Sequence, residues 1–138
     1  MANPHIVAIL KRDEGVRLFP YKDTVGKWTI GVGRNLDDVG LSMDEVEYLL
    51  SNDLKRTEME ARKFDWYAGL DEVRQAVVLS MIFNLGPTRF RGFANTIKSI
   101  AAGNYADAAR RMLQSKWATQ VGDRAVRLAK MMRTGVVQ

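Results

Sequence analysis

At 138 residues the chain is long enough for one or two small lobes that bury roughly two thirds of their unfolded surface. It has no cysteine, which excludes a disulfide scaffold and cysteine-based zinc or redox chemistry, and its single histidine leaves no partner for a Ser-His-Asp triad or a histidine-rich metal site. The net charge of +5 predicts attraction to polyanions, yet the basic residues are scattered and form no stripe or recognition motif of a nucleic-acid binder.

The first 15 residues read as a helix, with Asn3 as N-cap, Pro4 at the first helical position and Gly15 as the stop. Ile6 and Leu10 align with Glu14 on one face, so an apolar stripe is expected beneath that acid. Residues 16–36 read as a small antiparallel β region, in which Asp23 sits in the polar turn from Tyr21 to Lys27. After a loop at 37–41, Ser42-Met43-Asp44-Glu45 is a capping box that opens a helix over about 42–63. Val46, Leu49, Leu50, Leu54 and Ala61 are its expected apolar face.

That helix is expected to link an N-terminal lobe, about 12–60, to a helical C-terminal lobe, about 64–138, with the first helix packing near the latter. After Asp71 the sequence from Val73 to Phe83 is apolar nearly all round, which predicts a buried helix ended by Gly86-Pro87. Shorter helices are expected at about 95–102, 105–114 (with Asn104 as N-cap) and 123–133. The predicted class is α+β, mostly α, a single domain with a cleft between two lobes. The run Ile6–Leu10 is too short for a signal sequence, and Ala76–Phe83 is far below a membrane span, so synthesis in the cytoplasm is expected.

Carboxylates remain as the means of hydrolysis. Glu14 closes a helix, where an apolar stripe and the negative end of the helix dipole both penalise its charged form. Asp23 lies in a polar turn, where ionisation costs little. Two carboxyls pushed in opposite directions make an acid and a base, which glycoside hydrolysis needs. Thr29 follows, completing the spacing Glu-x8-Asp-x5-Thr.

This pattern, with Lys22-Asp23-Thr24, Trp28-Thr29-Ile30-Gly31-Val32-Gly33, Phe83-Asn84-Leu85-Gly86 and Arg133-Thr134-Gly135, resembles the phage-type lysozymes from about Leu10 to Gly135. The resemblance implies a lysozyme-like fold and an endolysin that hydrolyses the β-1,4 bond between N-acetylmuramic acid and N-acetylglucosamine in peptidoglycan. It implies Glu14 as general acid, Asp23 as base or electrostatic stabiliser, and Thr29 holding the attacking water, most simply with inversion. Asn35, Phe83, Asn84, Thr96, Arg111, Trp117 and Gln120 match positions that line or support the saccharide cleft, and Arg124 matches an arginine that approaches the catalytic glutamate. No metal or cofactor is implied. The expected enzyme is a monomer that depends on a holin to reach the wall. Arg34 stands where relatives often carry histidine, so a His–carboxylate pair is absent there, and the following loop is short.

Other functions fit less well. A non-catalytic wall-binding module of the same fold has no need of Glu14, Asp23 and Thr29 together, and a lytic transglycosylase needs an acid but no water-positioning pair.

Overall fold

The computed structural model describes residues 3–138; Met1 and Ala2, at the start of the expected first helix, lie outside the described residues. In chain order the elements are α1 (Ile6–Glu14), β1 (Arg17–Lys22), β2 (Trp28–Gly31), β3 (Arg34–Asn35), α2 (Met43–Ala61), α3 (Glu72–Leu85), α4 (Pro87–Arg91), α5 (Ala94–Ala101), α6 (Tyr105–Leu113), α7 (Lys116–Val121) and α8 (Asp123–Thr134). The expected α+β, mostly α class is observed. The chain divides into two compact units, one ending at Tyr48 and the other running from Leu49 to Gln138.

In the first unit the expected cap at Asn3 is corrected: α1 begins at Ile6 with His5 as N-cap and no side-chain cap bond, and Asn3 Oδ1 instead accepts from the His5 amide at 2.9 Å in the turn before the helix. Gly15 ends α1 at φ +77°, its amide donating to Lys11 O. The apolar stripe expected beneath Glu14 is not buried. Ile6 is half-buried, Ile9 and Leu10 are exposed, and α1 buries no residue. The sheet of this unit is too small to cover it: β1, β2 and β3 form an antiparallel meander of six, four and two residues. Thr29 is the one buried residue of the unit among those described.

The capping box forms as expected. Glu45 Oε1 accepts from the Ser42 amide at 2.9 Å, while the Glu45 amide faces Ser42 Oγ at 3.4 Å. Arg34 adds a second function to the same carboxylate, donating from Nη1 to Glu45 Oε1 at 2.8 Å and to Gly40 O at 3.1 Å. One arginine therefore ties β3 to the start of α2.

In α2 the expected apolar face is corrected. Val46, Leu49, Leu50 and Leu54 are exposed, and burial begins only at Thr57 and Ala61. The helix packs by its C-terminal end, while Leu50 and Leu54 line an open groove with Leu79 and Phe83.

The second unit is built around α3, which opens on Asp71 as N-cap, its carboxylate accepting from the Arg74 amide at 2.9 Å. Val77, Val78 and Met81 are fully buried, with Ile82 and Leu85 beside them. Burial all round is again corrected: Ala76 and Phe83 are exposed, because α4 and α8 cover one side of the helix and the other opens onto the groove. Helices α6 and α8 pack closely through Ala108, Ala109, Ala125 and Ala129, whose small side chains let two backbones approach. Phe90 of α4 lies edge-on to Phe64 at 5.6 Å between centroids. Asn104 caps α6 as expected, accepting from the Asp107 amide. Two short helices, α4 and α7, fall outside the expected set. Pro87 does end α3, but it also opens α4 at its first position, and Ser115 caps α7 by accepting from the Ala118 amide.

The Arg34–Glu45–Ser42 link has a pH signature. The hydrogen bond from Arg34, followed by those from the Ser42 amide and hydroxyl, holds the Glu45 carboxyl at about 2, against an ordinary 4.5. A carboxyl lowered on folding stabilises the fold fully above its unfolded value and loses that contribution as pH falls through the folded one. The expected outcome is a Glu45 carboxyl NMR titration with its midpoint near pH 2. In denaturant titrations, Glu45→Gln should lose less stability than the parent between about pH 4.5 and 2.

Candidate functional site

The three residues expected to carry chemistry all belong to the first unit. Asp23 occupies the turn between β1 and β2. Its Oδ1 accepts from the amides of Val25 at 3.0 Å and Lys27 at 2.8 Å, while its own amide donates to Lys27 O. The side chain thus shapes the turn, as Asp does where it imitates a backbone acceptor. Oδ2 has no protein partner among the described residues and stays available.

Thr29 lies in the middle strand, opposite Tyr21 of β1 and Asn35 of β3, so these three share one face of the sheet. It is only 3% exposed. Its hydroxyl donates to Lys27 O at 3.0 Å, which occupies the proton and leaves the oxygen lone pairs as acceptors. The same carbonyl-bearing residue donates its amide to Asp23, so the backbone at Lys27 links the two side chains.

Glu14 is exposed at the last position of α1. Its carboxyl lies against the backbone of Gly33: a Cβ placed there would meet Glu14 Oε2 at 2.9 Å and the carboxyl carbon at 3.2 Å. Gly33 also has φ +67°, a conformation costly for other residues. It is therefore a residue of the site that the sequence reading did not single out. The signal was present in the second glycine of Gly31-Val32-Gly33, but the approach of α1 to that glycine requires the fold.

Asn35 is committed to its own loop, donating from Nδ2 to Asp38 Oδ2 at 2.9 Å and accepting from the Asp38 amide at 3.0 Å. The Trp28 amide donates to Asp37 Oδ2, fastening the short loop to the sheet. Arg34 takes the role described above rather than that of a histidine in a charge pair.

The remaining expected residues belong to the second unit. Thr96, Arg111, Trp117 and Gln120 line one cavity of about 410 Å³. Trp117 is buried and donates its indole N–H to Asn84 Oδ1 at 2.8 Å, so Asn84 supports the cavity wall without lining it. Phe83 lies elsewhere, in the groove of Leu50 and Leu54 that Arg124 also lines, and Arg124 donates to Ser80 Oγ at 3.1 Å. Asp107 orders the cavity edge. The Ser99 hydroxyl, then Arg111 and Arg110, hold its carboxyl well below the usual range.

The chemical capacity of these parts is specific. One exposed carboxyl sits on a glycine backbone, and a second, anchored carboxyl, one oxygen of which has no protein partner among the described residues, is joined through the Lys27 backbone to a buried strand hydroxyl. Among the described residues no group of three or more His, Cys, Asp or Glu is placed to hold a metal. No helix among the described residues is long and apolar enough to cross a membrane.

Comparison with known proteins gives a consistent result. The family described as phage lysozyme matches residues 11–133. A protein of Dictyostelium discoideum named "Probable T4-type lysozyme 1" is 29% identical, over 94% of this chain and 94% of its own. An "Endolysin" of Acyrthosiphon pisum secondary endosymbiont phage 1 is 27% identical over 80% of this chain and 75% of its own. A "SAR-endolysin" of Enterobacteria phage P21 is 34% identical over 56% of this chain and 49% of its own.

The Gly33 contact is testable. In Gly33→Ala the new methyl displaces the Glu14 carboxyl, the flexible partner, and the left-handed backbone adds strain of about 1–2 kcal/mol. The expected outcome is a loss of turnover greater than the loss of stability accounts for, measured as kcat on the folded protein beside its Tm. Full kcat in a folded Gly33→Ala protein would separate this glycine from the chemistry.

Proposed function

The chain belongs to the phage lysozyme family and is a lysozyme-type glycoside hydrolase, and from that premise we propose that it hydrolyses the β-1,4 bond between N-acetylmuramic acid and N-acetylglucosamine in bacterial peptidoglycan. The observation that carries the reading is the pairing, in one small unit, of Glu14 against the Gly33 backbone with Asp23 and Thr29 joined through the backbone of Lys27.

Glu14 donates its proton to the departing glycosidic oxygen as the bond to the anomeric carbon breaks. A water attacks that carbon. Its proton passes to Asp23, whose Oδ2 is free, while Thr29 accepts a hydrogen bond from the same water because its own proton is directed to Lys27 O. In this reading Asn84, Thr96, Arg111, Trp117, Gln120 and Phe83 serve saccharide binding, Asn35 shapes the loop beside the sheet, and Arg124 supports the acid. The enzyme acts as a monomer without a cofactor. It reaches the wall after a holin opens the membrane, and wall cleavage there lyses the host.

Two measurements test the chemistry. Glu14→Gln keeps the shape of the side chain but has no proton to donate, so turnover on peptidoglycan should fall about a hundredfold or more while circular dichroism stays unchanged. Near-normal turnover by that variant would remove Glu14 from the mechanism.

Stereochemistry tests Asp23. A base that activates water across the sugar from the acid needs a carboxyl separation of roughly 6.5–9.5 Å and yields inversion, whereas a nucleophile needs roughly 5–5.5 Å and yields retention. The α-anomer should therefore appear first by NMR from the β-linked substrate. Initial release of the β-anomer would make Asp23 a nucleophile.

A further inference from the structure

We propose that strand β1 is a docking element for an anionic lipid bilayer, with the side chains of Leu18 and Phe19 entering the interface and Arg17 and Lys22 meeting lipid phosphates. This concerns a second ligand and is independent of the hydrolytic site.

Leu18 is 82% exposed and Phe19 81%, the highest values of any large apolar residue among those described. The sheet itself puts them there. β1 is an edge strand, and its register with β2 is broken between Arg17, opposite Gly31, and Tyr21, opposite Thr29. Three residues of β1 thus span the place of one residue of β2, and the strand bulges away from its partner at Leu18-Phe19-Pro20. Single exposed leucines need no explanation, but an adjacent Leu-Phe pair pushed out on a bulge forms an apolar protrusion.

The charges around the bulge say what covers it. β1 contains two cations and no acid. Neither Arg17 nor Lys22 has an ion pair or a side-chain hydrogen bond among the described residues. Instead, the Arg17 guanidinium lies 5.2 Å from the ring centroid of Tyr21, and the Lys22 ammonium 5.3 Å from that of Trp28. Glu14 and Asp23, the nearest acids along the chain, are held at the Gly33 backbone and at the Val25 and Lys27 amides. Along the strand the order is cation, Leu-Phe-Pro, tyrosine, cation, with Trp28 across from Lys22 and 46% exposed. A lipid surface suits this grouping. Apolar tips enter the acyl boundary, Tyr and Trp settle at headgroup depth, and Lys and Arg meet phosphate.

The other occupant a sheet edge invites is a second strand, and two features of β1 oppose it. Pro20 has no N–H to offer, and the bulge interrupts the row of donors and acceptors that another copy would pair with. Neither is a disadvantage at a bilayer, where the side chains enter and the backbone stays hydrated. Two apolar side chains and two cations give reversible attachment.

The experiment mixes the full chain with vesicles of phosphatidylglycerol and phosphatidylcholine in equal parts, or of phosphatidylcholine alone, and measures co-sedimentation. Partition should be stronger on the anionic vesicles. Leu18→Ser with Phe19→Ser should lower it about tenfold or more on these vesicles, because both side chains lose most of their transfer free energy. Arg17→Gln with Lys22→Gln should lower it by about tenfold on the anionic vesicles only. The serine variant should keep the circular dichroism and the soluble-muropeptide turnover of the parent. In the unaltered protein, a nitroxide on the lipid headgroup should broaden the NMR amide signals of residues 17–22 more than those of the helical unit. This last measurement decides the site even where a variant folds poorly.

The net charge of +5 could by itself hold the protein to anionic vesicles. The serine variant would then partition as the parent does and the broadening would fall outside β1, and either result would overturn the proposal. So would the absence of partition. Self-association that the serine variant abolishes, without vesicle binding, would assign the bulge to a second copy instead.

Discussion

Closure of the helical unit depends on the guanidinium of Arg74. Its Nε donates to Met132 O at 2.7 Å and its Nη2 to Arg133 O at 3.0 Å, so it satisfies carbonyls that the end of α8 leaves without helical partners. Nη1 pairs with Asp71 at 2.9 Å, the residue that caps α3. Its Cζ lies 3.9 Å from the ring centroid of Tyr105, the first residue of α6. One side chain therefore joins the start of α3, the end of α8 and the start of α6. A lysine could not do this, because the task needs several donors in a fixed plane. The chain makes room for it at Gly135, where a Cβ would lie 3.0 Å from Nη1. With α8 held there, Ala125 and Ala129 meet Ala108 and Ala109, and α7 follows with Trp117 buried in the wall of the cavity.

The first unit is organised by another principle. It buries Thr29 and little else, so apolar area does little to define it. Side chains that bond to nearby backbone do the work: Asp23 in its turn, Asn35 and Asp37 in the following loop, and Arg34 with Ser42 and Glu45 at the start of α2. Such bonds act over a few residues and specify turn geometry closely. For the proposed base, Asp23, the consequence is that a residue that shapes its turn can also present a carboxylate oxygen. Its Oδ1 fixes the turn and its Oδ2 has no protein partner among the described residues, so anchoring the carboxyl also orients it.

What could be read from the sequence follows the range of each interaction. Caps were legible at Ser42 and Asn104, because capping is decided within about four residues. The antiparallel region and the long helices were legible from composition and periodicity. The exposed faces were not. Leu50, Leu54, Ala76 and Phe83 have the character of core residues, but which side of α2 or α3 is covered depends on the placement of other helices. The helices α4 and α7 were missed because five or six residues carry no periodic stripe. Glu14 and Asp23 stood out by residue type and spacing, whereas the seat of Glu14 on Gly33 joins residues 19 positions apart through the strand topology. For Arg34 the sequence recorded only a histidine that was absent. Its bond to Glu45, 11 residues on, needed the fold.

Net charge shows the same difference between a sequence quantity and its use. A value of +5 suggests a broad attraction to anionic wall, and at long range that holds within a Debye length of about 8–10 Å. At short range many of the cations are already engaged. Arg34 serves the cap of α2, Arg74 the end of α8, Arg91 pairs with Glu60, and Arg110 with Asp107. Pairs at such exposed positions add little stability, but they remove the cation from competition for a ligand. A cation whose donors have no other partner can meet an anion without giving up an existing bond. Among the described residues, Arg89, Lys116 and the terminal nitrogens of Arg111 meet that condition in the helical unit, and all three side chains line one cavity. The total charge therefore overstates the number of cations with unengaged donors, because it also counts those already bound within the fold.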